Sequence, residues 1–444
     1  MARRNRVFGN VLLLVGLFVL AGVLVALIPL LRRVEPIMPP ESPEMAAKRL
    51  APEENAFFLL SEALDALPKK PPFLLVPSKD NPKSQDWYRP APGSLGSLIN
   101  VERPDDDPQL IEFLNGCEPA LAKTREALKR PYFLLPIDWS DLPGYNDRPG
   151  NRDNPLRRAW DIPVLGGLLA VRGLQSLRAG DEAGALAGLL DSVRLALFVR
   201  NDGVDCSVSG TILAKGLSCL DEMVRIGSDA MLEKMIAEIR GLNAELKPPT
   251  DSLAFILREI DCGAFPDTGP SSGNVAERII NSTVTSLARR DTRAWARLHR
   301  DELFAVVEGP FTEIAKWKST AGKDEGRWSF VSALTSSTEH LAVSQARTKV
   351  ALDGAVLVIA LERYRRAHGG FPETLDALVP TYIDSIPKDT FTEGPLIYKR
   401  AGEDYQLHTA GPNQEDNGGG FIPEGKTRPL GDDVVIHWPR AAES

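Results

Sequence analysis

The sequence predicts a mainly α-helical protein with an apolar segment near its N-terminus and a small α+β region at its C-terminus. Apolar residues recur at helical spacing through most of the chain, most clearly over residues 345–368. An almost unbroken apolar run covers residues 11–31. After Gly369 and Gly370, which favour a helix end, the pattern changes to short runs typical of strands, separated by Pro and Gly.

Length and charge narrow the class of protein. At 444 residues the chain is long enough for two or three domains, and 43% hydrophobic with 25% charged residues is ordinary globular composition. The formal net charge is −8 at pH 7. Nucleic-acid binding needs a basic face that neutralises phosphates, so we expect no nucleic-acid partner.

The apolar run predicts a membrane anchor made by residues 1–33. Three arginines lie between positions 3 and 6, and two more follow at 32–33. About 21 helical residues span roughly 30 Å, the thickness of one hydrocarbon core. We therefore expect residues 11–31 to cross the bacterial inner (cytoplasmic) membrane once, with cleavage as a signal peptide as the alternative. The basic N-terminus favours a cytoplasmic start, which would leave the bulk of the chain extracytoplasmic.

The segment 34–47 is predicted to be a tether. It contains four prolines. Because proline-rich segments are extended and semi-rigid, we expect this one to act as a spacer between the membrane and the next domain.

Residues 48–340 are predicted to form a helical-hairpin, solenoid-like domain. At 177–181 a glycine followed by Asp181 indicates a helix end and an N-cap, and this joint with the apolar helix after it resembles a tetratricopeptide-type hairpin. No clean second copy follows about 34 residues later. The predicted helices are 53–67, 108–129, 156–179, 181–198, 208–226, 229–242, 252–260, 274–303, 304–318 and 329–342.

Residues 341–444 carry a set of short motifs after the long helix. They read LERYR at 361–365, LDALVPTY at 375–382, PKD at 387–389 and GPN at 411–413. This order resembles the globular module of the major pseudopilins of type II secretion, and related C-terminal modules of bacterial membrane-anchored proteins. The resemblance implies an α+β module with a long helix and a small antiparallel sheet, and strand-like runs occur at 395–398, 405–408 and 434–438.

The chain departs from that family in two places. The family's Pro- and Gly-containing turn is altered at 389–394, and the helix that enters the module has no pseudopilin cleavage signal at its head. Polymerisation into a pseudopilus is therefore not implied.

The loop 413–420 is the best candidate for a ligand site. It is rich in Asn, Asp, Glu and Gly, and oxygen ligands on a flexible turn suit calcium. Pseudopilins hold calcium in a loop at this place, so the resemblance implies Asp416, Asp432 and Asp433 as ligands, with Asn413 at a position that is often acidic. The same residue types also form ordinary solvated turns, and that alternative stays open.

Catalytic patterns are weak throughout. Asp267, in an Asp-Thr-Gly tripeptide, has no second copy, and the five histidines form no paired metal motif. His408 and His437 lie on predicted strands, where we expect partly exposed positions. The four cysteines form no C-x-x-C pair, so buried thiols and disulfides both stay open.

These features favour a non-enzymatic function. The sequence predicts a membrane-anchored binding or scaffold protein of the cell envelope, with an envelope protein as its partner and an association with a secretion or pilus-like assembly. The alternative is an envelope hydrolase with a carboxylate-based active site.

Overall fold

The computed structural model describes residues 35–68, 108–137, 155–201, 206–262, 275–321, 330–419 and 433–437. These residues are mainly α-helical with one small antiparallel sheet, which confirms the predicted fold class at that level. The predicted membrane segment, 11–31, lies outside the described residues. Within them, no helix combines the length and the apolar character needed to cross a bilayer.

Helices account for most of the described chain. Numbered in chain order, they are α1 (Pro43–Arg49), α2 (Ala56–Asp65), α3 (Pro108–Ala127), α4 (Pro155–Ala159), α5 (Pro163–Arg178), α6 (Glu182–Phe198), α7 (Cys206–Leu217), α8 (Leu220–Ile226), α9 (Asp229–Ala244), α10 (Thr250–Cys262), α11 (Val275–Leu298), α12 (Arg300–Glu308), α13 (Phe311–Ala321) and α14 (Val331–His368).

Several predicted helices are interrupted in the structure. The predicted helix 156–179 is α4 and α5, because Pro163 has no N–H to donate and begins a new helix. Likewise, 208–226 is α7 and α8, and 274–303 covers α11 and the start of α12. Gly309 and Pro310 then separate α12 from α13. The apolar periodicity continues across these breaks because the helices on both sides pack against the protein interior.

Helices α5 and α6 form a closely packed hairpin at the predicted joint. Gly180 has a φ of 84°, and the carboxylate of Asp181 accepts the N–H of Gly184 at 2.9 Å. The two helices approach through glycines. A Cβ at Gly173 would lie 2.8 Å from the backbone of α6, and one at Gly188 would lie 2.7 Å from the backbone of α5. Larger residues there would push the helices apart.

The predicted tether is packed against the helices from residue 35 onward. Ile37 is 2% exposed, and the N–H groups of Ile37 and Met38 donate to the carboxylate of Asp261 at 3.0 Å. Residues 35–40 therefore do not form the free spacer that the proline content predicts. The reason is one apolar side chain among the prolines, which finds a buried position.

Helix α14 passes through two hydrophobic cores. The first core contains apolar residues of α2–α9, and α14 enters it from Leu352 onward. The second core contains apolar residues of α10–α13, together with α14 residues up to Val350. The helix ends at Gly369, which has a φ of 78°. It crosses the predicted domain boundary between residues 340 and 341, and that division stays a prediction.

Three strands follow α14. They are β1 (Ile397–Ala401), β2 (Asp404–Thr409) and β3 (Val434–His437), antiparallel in the order β1-β2-β3. Strand β3 lies close to α14 at Gly354, where a Cβ would be 2.7 Å from Cγ2 of Ile436. A glycine in the helix therefore lets the sheet approach it.

The altered turn 389–394 fixes the sheet to the helical region. The side chain of Phe391 is fully buried in the second core, with its ring 4.8 Å from that of Phe311 in α13. The carboxylate of Asp389 accepts the N–H of Phe391 at 2.8 Å and that of Ala410 at 3.0 Å. The turn thus joins the end of β2 to α13.

A buried carboxylate organises the last turns of α14. Glu362 bonds to Arg365 at 2.7 Å and to Arg366 at 3.1 Å, and Arg366 also donates to the carbonyls of Gly227 and Val224. Burial, the largest single effect, raises the pKa of Glu362. The hydrogen bonds and charges of the two arginines together outweigh it, so the pKa lies below its ordinary value of 4.5.

We expect Glu362→Gln to lower the free energy of unfolding by about 1–3 kcal/mol near neutral pH, because two arginines lose a charged acceptor. A carboxyl group whose pKa is lower in the folded state contributes its stability above the unfolded pKa. That contribution is lost as the pH falls through the folded value. The difference between wild type and variant should therefore shrink below pH 4.5, the ordinary value for this group. Denaturant unfolding at several pH values measures it.

Glu373→Gln is the matched control. Glu373 pairs with Arg400 at 2.5 Å, but its side chain is 79% exposed. Exposed pairs contribute little, so this variant should unfold like the wild type. Equal losses in both variants, or a Glu362→Gln deficit that persists in acid, would contradict the assignment.

Candidate metal centre

The predicted ligand loop lies between β2 and β3. Its described part ends at Gly419, and the chain is described again from Asp433, which directly precedes β3. The structure brings Asp416 and Asp433 to one place. Asp432, the third predicted acidic ligand, lies outside the described residues.

A histidine joins the two aspartates. Nε2 of His408 lies 3.1 Å from Oδ1 of Asp416 and 3.9 Å from Oδ2 of Asp433. The candidate ligand atoms of the three residues all lie within 4.8 Å of one another. His408 and Asp433 are buried, whereas Asp416 is exposed, so the cluster is open to solvent on the side of Asp416.

The expectation that His408 is partly exposed is wrong. The residue is only 4% exposed, because the loop folds back over its ring. Gly419 has a φ of 59°, and a Cβ there would lie 2.8 Å from Cγ and Nδ1 of His408. His437 on β3 is only half-buried, and its Nε2 bonds to Asp404 at 2.8 Å, away from the cluster. A glycine eleven residues after His408 in the sequence gives no local signal that it covers the imidazole ring.

Backbone N–H groups hold both carboxylates in position. Asn417 donates to both oxygens of Asp433, at 3.1 and 3.0 Å, and Gly419 donates to Oδ2 at 2.6 Å. The N–H of Gly418 donates to Asp416 at 2.8 Å. This hydrogen bond, followed by the one from His408, lowers the pKa of Asp416. The loop thus favours the ionised form of Asp416 and holds both carboxylates beside the imidazole.

Asn413, the remaining predicted ligand, shapes the turn. Its Oδ1 accepts the N–H of Glu415 at 3.1 Å, and its amide nitrogen donates to the side chain of Asn417 at 2.6 Å. These are the bonds expected of an Asx turn. In the structure Asn413 therefore supports the loop that carries Asp416.

The described donors fit calcium only in part. Calcium takes six to eight oxygen ligands, whereas the described cluster offers two carboxylates and one ring nitrogen. Mixed nitrogen and oxygen ligands suit Zn²⁺, whose tetrahedral ligands at about 2.0–2.2 Å lie roughly 3.3–3.6 Å apart. Nε2 of His408 lies 3.1 and 3.9 Å from the two carboxylate oxygens, and all three donor atoms lie within 4.8 Å of one another, so small side-chain movements would reach that spacing. The donor chemistry therefore favours Zn²⁺ over Ca²⁺.

Known proteins offer no comparison for this arrangement. Among protein families, curated proteins and solved structures, none matches the chain.

We expect the full chain to bind Zn²⁺ more tightly than Ca²⁺ at this loop, because an imidazole is a good ligand for zinc and a poor one for calcium. His408→Gln should weaken zinc binding by at least roughly tenfold, the lower limit for removing even an outer partner of a metal site. Isothermal titration of the detergent-solubilised chain with each metal measures both affinities.

His437→Gln is the control for the loss of a histidine on the same sheet, and it should bind zinc like the wild type. Tighter binding of Ca²⁺ that His408→Gln leaves intact would instead support an all-oxygen site that includes Asp432. Binding of neither ion would show that the cluster serves only to hold the loop against β2.

Proposed function

We propose that this chain is a single-pass protein of the bacterial inner membrane that acts as a binding or scaffold protein of the cell envelope. In this proposal residues 11–31 form the anchor, and the helical region and the sheet lie outside the cytoplasm. The apolar run with its basic start supports the topology. The acidic net charge supports a protein partner over a nucleic acid.

A cavity between the two cores is the observation that carries the binding function. It has a volume of about 860 Å³, within the range of roughly 300–1,000 Å³ typical of ligand sites. Helix α9 forms one wall, α12 and α13 form the opposite wall, and α14 and residues 385–393 complete it.

The lining combines apolar and charged groups. Phe311, Ile314 and Ala346 are buried apolar residues at the cavity, while Arg240 and the exposed Lys388 bring positive charge to it. An extended peptide segment with an apolar side chain and a nearby acidic group would complement this lining. A scaffold protein binds its partner through such a segment of the partner's chain.

Two carboxylates at this cavity, Asp353 and Asp389, have structural roles, which favours binding over the hydrolase alternative; the exposed Glu308 and Glu393 also line the cavity. Burial raises the pKa of Asp353, which accepts hydrogen bonds from Lys349 at 3.1 Å and from Asn243 at 2.6 Å. Asp389 is occupied by the two backbone N–H groups described above. A carboxylate-based site needs an acid and a base that face the substrate, and these two side chains face their own partners.

The resemblance to pseudopilins supplies the proposed setting. A long helix followed by a small antiparallel sheet and an acidic loop is the arrangement expected of such a module. We therefore propose that residues 341–444 are pseudopilin-like, that residues 48–340 are a solenoid-like support, and that the partner belongs to a secretion or pilus-like assembly. Calcium in the loop, as the resemblance implies, is the alternative occupant to the Zn²⁺ that the described donors favour, and the titration with each metal decides between the two ions.

We expect a photo-crosslinking residue at the cavity to capture one defined envelope protein. p-Benzoylphenylalanine in place of Lys388 presents the probe from an exposed position on the cavity lining. Irradiation of intact cells of the native host, followed by mass spectrometry of the membrane fraction, should identify a single main adduct.

The same probe in place of Lys399 is the control, since Lys399 is exposed on β1 and does not line the cavity. An adduct with a secretion or pilus component from position 388 alone would support the proposal. The same adducts from both positions, or none from either, would count against binding at this cavity.

A further inference from the structure

The N-terminal end of the described chain is fastened to one end of helix α11. Glu35 forms an ion pair with Arg297, and Asp261 of α10 accepts the N–H groups of Ile37 and Met38. Ile37 is buried in the second core. The chain therefore cannot move away from the C-terminal end of α11 without breaking these contacts.

Chain length limits how far this end of α11 can lie from the anchor. Three residues lie between the end of the apolar run at residue 31 and Glu35, so four residue-to-residue steps join them. A fully extended chain covers at most about 3.6 Å per residue, so four steps reach at most about 14 Å. The headgroup layer on each side of a bilayer is roughly 5–8 Å thick. If residues 11–31 span the membrane, the end of α11 lies at or just above the headgroups.

The side chains at this corner suit a membrane interface. Leu298, the last residue of α11, is 84% exposed, more than the other exposed large apolar residues of the described chain. Trp295 and Phe304 lie half-buried near it along the chain and pack against the second core. A bilayer interface accommodates both groups, because Trp is enriched at the headgroup level and exposed apolar side chains are buried at the headgroup boundary.

An arginine at this corner supplies donors for phosphate. Arg300, at the start of α12, pairs with the exposed Asp301. That pair is easily exchanged, because exposed ion pairs contribute little.

Acidic residues lie near this arginine and limit the electrostatic attraction. They are Glu35, Asp301 and Glu302, the last of which bonds to His299 at 2.8 Å. The argument therefore depends on the exposed leucine and on the short connection to the anchor more than on net charge.

We propose that the corner formed by the end of α11 and the start of α12 rests on the phospholipid headgroups of the membrane that holds residues 11–31. Leu298 enters the interface, and Arg300 donates to lipid phosphates. This inference rests on the proposed membrane anchor and adds an orientation to it. The protein would lie against the bilayer by this corner, with no spacer between them.

The test uses the full chain reconstituted into vesicles of equal parts phosphatidylcholine and phosphatidylglycerol. The vesicles carry a phospholipid with a photoactivatable diazirine close to its headgroup, and mass spectrometry locates the labelled peptides. We expect labelling of peptides that contain Leu298. Leu298→Asp should reduce that labelling by roughly fivefold, the effect expected of one unfavourable charge at an anionic surface.

Ile226→Asp is the matched control. Ile226 is 49% exposed at the end of α8, and the same apolar-to-acidic change there should leave labelling of the α11 corner unchanged. Thermal unfolding of both variants should match the wild type, since neither side chain is buried.

Two outcomes separate the inference from the anchor on which it rests. A chain that is washed off the vesicles by alkaline carbonate would overturn both the anchor and the inference. A chain that stays with the vesicles, but is labelled elsewhere or is labelled equally in Leu298→Asp, would overturn only the orientation.

Discussion

Helix α14 has buried side chains along most of its length, and its two halves belong to different cores. Its N-terminal half packs with α10–α13, and its C-terminal half packs with α2–α9 and the sheet. The two cores therefore share one continuous backbone and cannot rotate independently without bending a helix. Truncating a fully buried residue such as Leu357 to alanine would cost about 2–5 kcal/mol, a large part of the stability of a typical domain. The cavity, the sheet and the loop all take their positions from this helix.

The ion pairs around α14 orient the neighbouring elements more than they stabilise the fold. Arg363 pairs with Asp229 and Glu233, and Arg240 pairs with Asp384, but each of these carboxylates is more than half exposed. Solvent screens such pairs, and their contributions are small. Glu362 differs because it is buried, and one of its two arginine partners, Arg366, also donates to the carbonyls at the end of α8. That contact holds the end of α14 at one position, so the sheet that follows begins from a defined point.

Helices and strands were predicted well from the sequence, because the spacing of apolar residues follows the buried face of each element. The sequence placed the long helix, the strands and the joint at Gly180 correctly, since each carries a local signal. It missed the packing of Ile37, because proline content predicts chain stiffness and says nothing about what the chain touches. It also missed His408 as part of the candidate metal centre. That role depends on a backbone fold at Gly419, and on Asp433 approaching from another strand, both of which are tertiary features.

The cavity and the N-terminal attachment are connected through the second core. Ile37 lies in that core at the side of the molecule that we propose faces the membrane, and Phe391 enters it from the turn that borders the cavity. Helix α9, on the other wall, belongs to the first core. A ligand that fills the cavity therefore contacts both cores and favours the one arrangement in which they are fully packed on α14. For a protein fixed to a bilayer at one corner, such a ligand would also fix the direction in which the cavity faces its partner.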